Sequence, residues 1–366
     1  MRILFYLSAP AWTGSARASA ALARGLSERG HAVTVACPPD SPVEQRLEFG
    51  AYEVLGLEPN VPWPVAARRL RRGLQERFIQ VVCVHTDREQ VVAASAARLA
   101  ERAAVLRRVP PGETLTPGPR ARVALRMATT GFVFSAEEDA QRAPPAPHSR
   151  LAPAIVPLGV RPHVYETVRP ASPASLGLAG GAGPTRVLLC RYDAASRARA
   201  GNVLRVVALL APRHPELRLV MLGSGPVDDN LRMHAAALRI SRAVRFVDEH
   251  DDDLSLLALA DLGWVLAGGD DGAFAVLDLL ASRVPVIAER GTVGPLYVPD
   301  GIAGIVLPAG DAHDAAAAVA RLLAHEEQRA AMGGAGRVRV ARDYTESLMV
   351  DAFERAAIAA SDRSQW

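Results

Sequence analysis

The fold is decided by one stretch in the second half of the chain, residues 263–288, which reads GWVLAGGDDGAFAVLDLLASRVPVIA. Residues 263–267 are largely apolar and run into two glycines, as a buried strand runs into a turn. Residues 273–282 then carry apolar side chains at helical spacing, and a second apolar run starts at Pro285. A strand, a helix and a strand in this order predict a βαβ unit with parallel strands.

The same alternation continues outward in both directions. Strand-like apolar runs and helix-like segments follow one another over residues 2–135 and again over residues 186–360. Between them, residues 168–185 are rich in Pro, Ala, Gly and Ser and have no apolar periodicity, which indicates a linker or a loop. The repetition therefore lies at the level of two similar sheets.

At 366 residues the chain is too long for one ordinary core and suits two domains. We expect an α/β protein in which two Rossmann-like parallel-sheet domains face each other across a cleft. The predicted domains are residues 1–165 and 186–344, with a linker at 166–185. A last helix, near residues 345–366, is expected to pack back on the first domain.

The composition excludes several classes of protein. A hydrophobic fraction of 49% and a charged fraction of 22% are typical of a folded globular chain. The formal net charge of +3 is too small to predict a nucleic-acid partner. The sequence contains no lysine, so a bound phosphate would have to be held by arginine, backbone N–H groups or helix N-termini.

The cysteines predict neither disulfides nor a metal. Cys37, Cys83 and Cys190 are far apart and odd in number, without metal-ligand spacing. Free thiols and the absence of a long uncharged apolar run predict a cytoplasmic protein without a transmembrane span.

Two turns that follow predicted strands suggest anion binding with different strength. In the loop of residues 11–16, Gly14 and Ser15 could bring backbone N–H groups to an anion at a helix N-terminus. The alternative is a short turn in which Ser15 is the N-cap. Residues 222–226 resemble the start of a dinucleotide fingerprint, but a tight turn explains them better.

Arginines follow the first strand of the second half. Arg191, Arg197 and Arg199 come where parallel sheets bind ligands, and two guanidinium groups there could clamp a diphosphate. The alternative is a solvated loop.

Acidic side chains surround the start of the helix in the opening stretch. Asp270 and Asp278 are eight residues apart, just over two helical turns, and their carboxylates could accept hydrogen bonds from ribose or sugar hydroxyls. Asp270 or Asp271 could instead cap the helix, but capping does not explain Asp278.

This layout resembles the family 4 retaining glycosyltransferases of the GT-B fold. The family pattern is an acid, seven residues, a second acid, then a small residue, an apolar residue, alanine and, after a turn, Pro-Val; aspartate replaces the usual glutamate at both acids here. The positions that match are Asp270, Asp278, Ala281 and Pro285-Val286. Further segments that resemble the family are residues 25–35, 157–160 and 300–311.

The resemblance implies an enzyme that moves a sugar from a nucleotide sugar to a hydroxyl of a glycan, a lipid or a small molecule, with retention. The donor, a UDP- or GDP-sugar, is a substrate, and neither a cofactor nor a metal is expected. By resemblance, Asp278 binds the ribose, Asp270 contacts the sugar and Arg191 holds the diphosphate. The expected donor site consists of Gly14, Ser15, Arg191, Asp270, Asp271, Gly272 and Asp278, and the expected catalytic residues are Arg191, Arg199 and Asp270.

The chain departs from the family at two places. Ala200 stands where the family has a lysine, which leaves Arg199 or Arg197 as a substitute. The family often has a histidine on a loop after a strand. In the corresponding segment, residues 106–110, this chain has Arg108, as an arginine-bearing subset of the family does. His85 matches a histidine on the acceptor side, although a polar residue at a strand end explains it equally well.

These departures leave two alternatives open: a non-catalytic subunit that binds nucleotide or sugar, and a sugar-nucleotide epimerase of the same fold. Separately, the helix bearing Arg68 to Arg77 has basic residues flanking Leu70, Leu74 and Phe78 and could rest on an anionic membrane surface. A solvated helix face is the alternative. The acids at 251–253 are explained as helix-opening residues without a metal.

Overall fold

The computed structural model describes residues 1–47, 50–143, 151–178, 184–223, 229–247 and 253–364. The chain forms two compact units, one of Met1–Gly159 with Glu346–Trp366 and one of Val160–Thr345. The boundary therefore lies before the linker expected at residues 166–185. The described part of that linker belongs to the second unit, where Leu178 is buried and Ala171 N donates to Ser255 O at 2.9 Å.

The first unit is built around a parallel sheet in the order β3-β2-β1-β4-β5-β6-β7. Its strands are β1 (Arg2–Tyr6), β2 (Ala32–Cys37), β3 (Glu53–Gly56), β4 (Val81–Val84), β5 (Ala104–Val109), β6 (Thr130–Phe134) and β7 (Ala154–Ile155). Its helices up to residue 159 are α1 (Gly14–Glu28), α2 (Pro42–Leu47), α3 (Trp63–Glu76), α4 (Asp87–Ala100), α5 (Pro119–Ala124) and α6 (Glu137–Arg142). The strand order reverses direction between β1 and β4, which is where such sheets bind ligands.

The second unit repeats this plan with a parallel sheet in the order β10-β9-β8-β11-β12-β13. Its strands are β8 (Arg186–Tyr192), β9 (Leu217–Gly223), β10 (Val244–Val247), β11 (Leu262–Val265), β12 (Val286–Glu289) and β13 (Gly304–Leu307). Its helices are α7 (Val164–Thr167), α8 (Arg197–Leu210), α9 (Asp229–Ala237), α10 (Asp253–Leu259), α11 (Gly269–Ala281), α12 (Ala312–Ala324) and α13 (Glu326–Asp343). Here the order reverses between β8 and β11.

The last helix, α14 (Glu346–Asp362), packs on the first unit. Its Phe353 is fully buried, with its ring 5.4 Å from the ring of Phe5 on β1. Ion pairs flank this apolar contact: Arg24 lies 2.8 Å from Glu346, and Arg29 lies 2.7 Å from Glu354. The helix therefore completes the core of the unit in which the chain begins.

The helix in the stretch that decides the fold begins earlier than its periodicity predicts. It starts at Gly269 and not at Ala273, so Asp270 and Asp271 lie in its first turn. The flanking strands are the adjacent parallel pair β11 and β12, as the βαβ pattern predicts.

The basic helix α3 differs from expectation at its end. Leu70 and Leu74 are fully buried in the core, but Phe78 lies beyond the helix and is 56% exposed, between the guanidinium groups of Arg2 and Arg102. The apolar stripe of α3 therefore faces the protein and is not available to lipid. None of the helices in the described ranges combines the length and the apolarity that crossing a bilayer requires.

Candidate active site

The second unit gathers charged residues at the carboxyl ends of its central strands. Arg191 lies near the end of β8 and is 4% exposed. Its carbonyl oxygen accepts the N–H groups of Leu266 at 2.8 Å and Ala267 at 3.2 Å, just after β11. Arg191 is therefore fixed at the switch point of the sheet, where its element order predicts a ligand.

Asp193, which sequence reasoning missed, ties two loops of this site together. Its carboxylate accepts the Gly268 N–H at 2.8 Å and both the N–H and the hydroxyl of Ser196 at 2.8 Å. Partial burial acts to raise the pKa of Asp193, but these hydrogen bonds outweigh it and hold the pKa below its usual value. An acid three residues before a serine, directly after a strand, was the signal that could have indicated this turn.

The amino end of α11 carries the predicted donor-site acids. Gly268 is the N-cap, so Asp270 and Asp271 lie in the first turn of the helix and not at its capping position. Asp270 is 4% exposed and Asp271 is partly exposed. A Cβ on Gly272 would lie 1.9 Å from Ala267 O, so the helix approaches the strand end more closely than any other residue would permit.

Asp278 lies in the third turn of α11, about 12 Å along the helix axis from Asp270 at 1.5 Å per residue. It is 3% exposed and accepts a short hydrogen bond from the hydroxyl of Tyr165 on α7. Helix capping indeed does not account for it. The contact with Tyr165 gives Asp278 a structural role that the sequence did not reveal.

The structure separates the two arginines that could replace the family lysine. Ala200, at the lysine position, is fully buried in the core. Arg197 is exposed at the first position of α8. Arg199 instead lies with its Nη1 3.9 Å from the Oε2 of Glu289, at the end of β12.

Glu289 is a second charged residue that sequence reasoning missed. It is 2% exposed, and its Oε1 accepts the indole N–H of Trp264 at 3.2 Å. Burial raises the pKa of Glu289, and the nearby Arg199 and the hydrogen bond from Trp264 offset only part of that rise. An acid that ends an apolar strand was its sequence signal.

In the first unit, Gly14 begins α1, with Ser15 as its second residue. The N-cap is Thr13, whose hydroxyl accepts Ala16 N–H at 3.3 Å, so the interpretation of Ser15 as the cap was wrong. The amino end of α1 follows β1, next to the switch point of the first sheet.

His85 directly follows β4 at that switch point and is 7% exposed. Its Nε2 lies 2.9 Å from the hydroxyl of Ser19, which donates its own proton to Ser15 O. With the Ser19 hydroxyl donating to Ser15 O, the contact with His85 is satisfied by the tautomer that carries its proton on Nε2, and Nδ1 is buried.

Glu89, another residue that was missed, braces the same place. Its carboxylate accepts the N–H and hydroxyl of Ser8 at 2.7 and 2.8 Å and the N–H groups of His85 and Thr86 at 2.8 and 3.0 Å. With Thr86 it forms a capping box, a spacing that is readable from sequence. The loop that carries His85 is thus held rigidly.

Arg108 is not on a loop. It lies inside β5, is 1% exposed, and donates through Nη2 to the Ser135 hydroxyl at 3.0 Å. Such burial leaves it almost no surface for contact with an acceptor.

Two other sequence features give no further site. No group of three or more His, Cys, Asp or Glu side chains within the described ranges is placed to hold a metal ion. The turn at residues 222–226 and the acids at 251–253 lie largely outside the described residues.

Comparison with known proteins connects this geometry to a family. Residues 187–339 match the model of "Glycosyl transferases group 1", and residues 12–110 match that of "Glycosyltransferase Family 4". Together the two models cover more than half of the chain, one in each unit.

Individual relatives agree over shorter stretches. Lipopolysaccharide core biosynthesis glycosyltransferase LpsE of Rhizobium meliloti is 27% identical over 38% of this chain and 42% of its own. The GDP-mannose-dependent monoacylated alpha-(1-6)-phosphatidylinositol monomannoside mannosyltransferase of Corynebacterium glutamicum is 28% identical over 45% of each chain. The chain thus spans less than half the length of these curated relatives.

The fold itself matches along the whole chain. Anabaena Alr3699/HepE, solved in complex with UDP and glucose, superimposes with a TM-score of 0.77 over 98% of this chain and all of its own, at 16% identity. The two Rossmann-like domains are those of the GT-B fold. By these two family models, the chain belongs to the group 1, family 4 glycosyltransferases.

Proposed function

We propose that the protein transfers a sugar from a nucleotide-sugar donor to a hydroxyl group of an acceptor, with retention at the anomeric carbon. The observation that carries this proposal is the meeting of Arg191, Arg199 and the amino end of α11 at one sheet edge. Guanidinium groups and helix-terminal N–H groups are what a diphosphate requires. Among relatives, HepE was solved with UDP and the Corynebacterium enzyme is described as dependent on GDP-mannose.

In this proposal each candidate donor-site residue of the second unit has one role. Arg191 and Arg199 stabilise the charge that develops on the diphosphate as its bond to the sugar breaks. Asp270 accepts hydrogen bonds from sugar hydroxyls, next to Asp271 and the close turn at Gly272. Asp278 binds the ribose, in exchange for or in addition to the hydroxyl of Tyr165.

The first unit supplies the remaining expected residues. Gly14 and Ser15 offer backbone N–H groups at the start of α1 to a donor phosphate or sugar. His85 is assigned to the acceptor side by its place directly after β4, at the switch point of the first sheet. Arg108, buried within β5, supports the strand and is not assigned an acceptor contact.

Isothermal titration with UDP, GDP and ADP tests donor binding. We expect one of the diphosphates to bind, and Asp278→Asn to weaken its binding about tenfold, the loss of a charged hydrogen bond. Tyr165→Phe is the matched control, because it removes the internal hydrogen bond to Asp278 but leaves the carboxylate. If both variants lose the same affinity, Asp278 acts structurally and the ribose assignment fails.

Turnover is tested separately with the nucleotide sugar of the base that binds. Release of nucleoside diphosphate that depends on Arg191 supports transfer. Binding without any release of sugar would contradict it and identify a binding subunit. Recovery of an epimerised sugar would identify an epimerase.

We further propose that the exposed face of α3 contacts an anionic membrane surface near a lipid-linked acceptor. The exposed arginines of this face are Arg68, Arg69, Arg71 and Arg72. Arg77 is excluded, since it pairs with Glu53 at 2.5 Å. Trp63 and Val65, at the start of the helix, are 37% and 36% exposed and add apolar surface. Each arginine near such a surface contributes about 1 kcal/mol.

Co-sedimentation with vesicles tests the membrane contact. We expect binding to vesicles that contain phosphatidylglycerol and not to pure phosphatidylcholine, and its loss when the four arginines of α3 become glutamine. The matched control changes four exposed arginines of the second unit, Arg205, Arg213, Arg239 and Arg242. Equal loss in both variants would show that net charge alone is responsible.

A further inference from the structure

We propose that Glu289 positions Arg199 for the diphosphate of the donor, so that a pair of residues on two elements does the work of the missing lysine. This inference rests on the proposed function and adds a residue to its site. Glu289 belongs to no motif that indicated the donor site. Its role follows from its surroundings in the second unit.

The first step is the distance between the two charges. Arg199 Nη1 and Glu289 Oε2 are 3.9 Å apart, which is an ion pair without a hydrogen bond. The carboxylate therefore attracts the guanidinium group without occupying its N–H donors. Glu289 thus orients these N–H donors, and they can still form hydrogen bonds with a stronger anion such as a phosphate.

The second step is the fixed orientation of Glu289. The indole of Trp264, which is fully buried, donates to Oε1 at 3.2 Å. Oε2 is itself buried and has no hydrogen-bond partner among the described residues. Because Oε2 has no accessible surface, it cannot touch a ligand. Any effect of Glu289 on donor binding other than direct charge repulsion must therefore pass through Arg199.

The third step is the space left for the guanidinium group. Gly291 has a φ of +80°, and a Cβ built there would lie 3.4 Å from Arg199 Nη2. The turn after β12 therefore runs beside the arginine head, with Gly291 next to Nη2 and Glu289 Oε2 3.9 Å from Nη1. Ala200, at the family lysine position, is fully buried in the core, and Arg197 is exposed, so the geometry favours Arg199 as the substitute.

A positioning role and a direct charge effect of Glu289 predict opposite changes in diphosphate affinity when its charge is removed. A buried negative charge near the phosphate site repels the ligand, so its removal alone should tighten binding. If Glu289 holds Arg199 in place, its removal frees a long side chain that must be ordered again on binding, and binding weakens.

The experiment is a double-mutant cycle on diphosphate affinity, measured by isothermal titration with whichever of UDP and GDP binds the wild-type protein. The variants are Glu289→Gln, Arg199→Met and the double mutant. We expect Glu289→Gln to weaken binding roughly two- to fivefold in the wild-type background, the range for a partly exposed ion pair, and to have no effect beside Arg199→Met.

The controls separate positioning from damage. Glu327→Gln removes an exposed carboxylate of the same unit and should leave affinity unchanged. The melting temperature of Glu289→Gln verifies its folding, and its affinity for the nucleoside, uridine or guanosine, should equal that of wild type. Tighter diphosphate binding, or an equal loss in both backgrounds, overturns the inference. Absence of any nucleotide binding by the wild-type protein would instead overturn the proposed function.

Discussion

At the scale of single residues, Gly272 makes the sharpest demand on the site. A Cβ there would lie 1.9 Å from Ala267 O, a backbone atom that cannot move aside like a flexible side chain. We expect Gly272→Ala to displace the amino end of α11 and to lose about 1–3 kcal/mol of stability, together with most of the diphosphate affinity. Chemical denaturation and nucleotide titration measure the two effects.

Gly334 provides the matched control for this prediction. It lies within α13, and nothing is within 4 Å of a Cβ built there. Gly334→Ala should stabilise the protein by about 0.5–1 kcal/mol, because alanine has the higher helix propensity. Similar effects of the two substitutions would contradict the close approach at Gly272.

Glu289 predicts a pH dependence of stability. Its pKa is raised in the folded state by burial, so the folded protein holds the proton more tightly than the unfolded chain. Stability contributed by this group is therefore greatest below the unfolded pKa, about 4.3, and falls as pH rises towards the folded value. Glu289→Gln should flatten this part of the profile, measured as the free energy of unfolding at several pH values, with Glu327→Gln unchanged.

Single residues show why the candidate site was only partly predictable. Asp270, Asp278 and Arg191 stand at positions that can be identified from their spacing along one sequence. Asp193 and Glu289 act through contacts with Gly268 and Arg199, which are distant in sequence and become neighbours only when the strands pair. No local pattern could have linked them.

At the scale of elements, α14 is the piece whose loss should be most selective. It contributes the fully buried Phe353 and the ion pairs of Glu346 and Glu354 to the core of the first unit. Removing residues 346–366 should abolish stable folding of the first unit, since a buried aromatic side chain alone contributes about 3–5 kcal/mol.

Limited proteolysis would locate that damage. In the shortened protein we expect rapid cleavage within residues 1–159 and survival of a fragment close to residues 160–345. The conservative control is Phe353→Leu, which keeps the helix and should lower stability by a smaller amount. Equal resistance of both units after the truncation would contradict the role of α14.

Helix α13 is an element that the sequence pattern did not indicate. Its glycines weaken the helical pattern and suggest breaks. In the structure two of them allow close packing: a Cβ on Gly333 would lie 1.9 Å from Arg283 O, and one on Gly336 would lie 2.7 Å from a methyl group of Leu280. A glycine within a helical pattern can mark either a break in the helix or a close contact of the helix with its neighbour, so the sequence pattern does not distinguish the two.

At the scale of the whole molecule, the two units have separate cores, and calorimetry should show two transitions. The main diphosphate contacts proposed here lie in the second unit. A nucleoside diphosphate at about 100 times its dissociation constant should therefore stabilise that transition by about 2.7 kcal/mol. The corresponding nucleoside monophosphate, which lacks the second phosphate, should shift this transition less. An equal shift of both transitions would contradict the assignment.

The fold class was predictable at this scale because it depends on alternation, which survives errors in single boundaries. The unit boundary was less so. The Pro- and Gly-rich composition of residues 168–185 predicts a linker, but Ala171 and Leu178 of that segment pack in the second unit. Composition indicates the local preference of the chain for irregular structure, but it does not show which other residues of the unit pack against that segment.

The return of the last helix to the first unit has a consequence for how such a chain can be rearranged. The second unit interrupts the first as an insert, and its own ends are joined: Val160 N donates to Tyr344 O at 2.9 Å, and Val160 pairs with Thr345 as a bridge. A segment whose entry and exit lie side by side can be exchanged as a cassette without stretching its host. The donor contacts proposed for the second unit could thus be transplanted together between relatives by swapping residues 160–345.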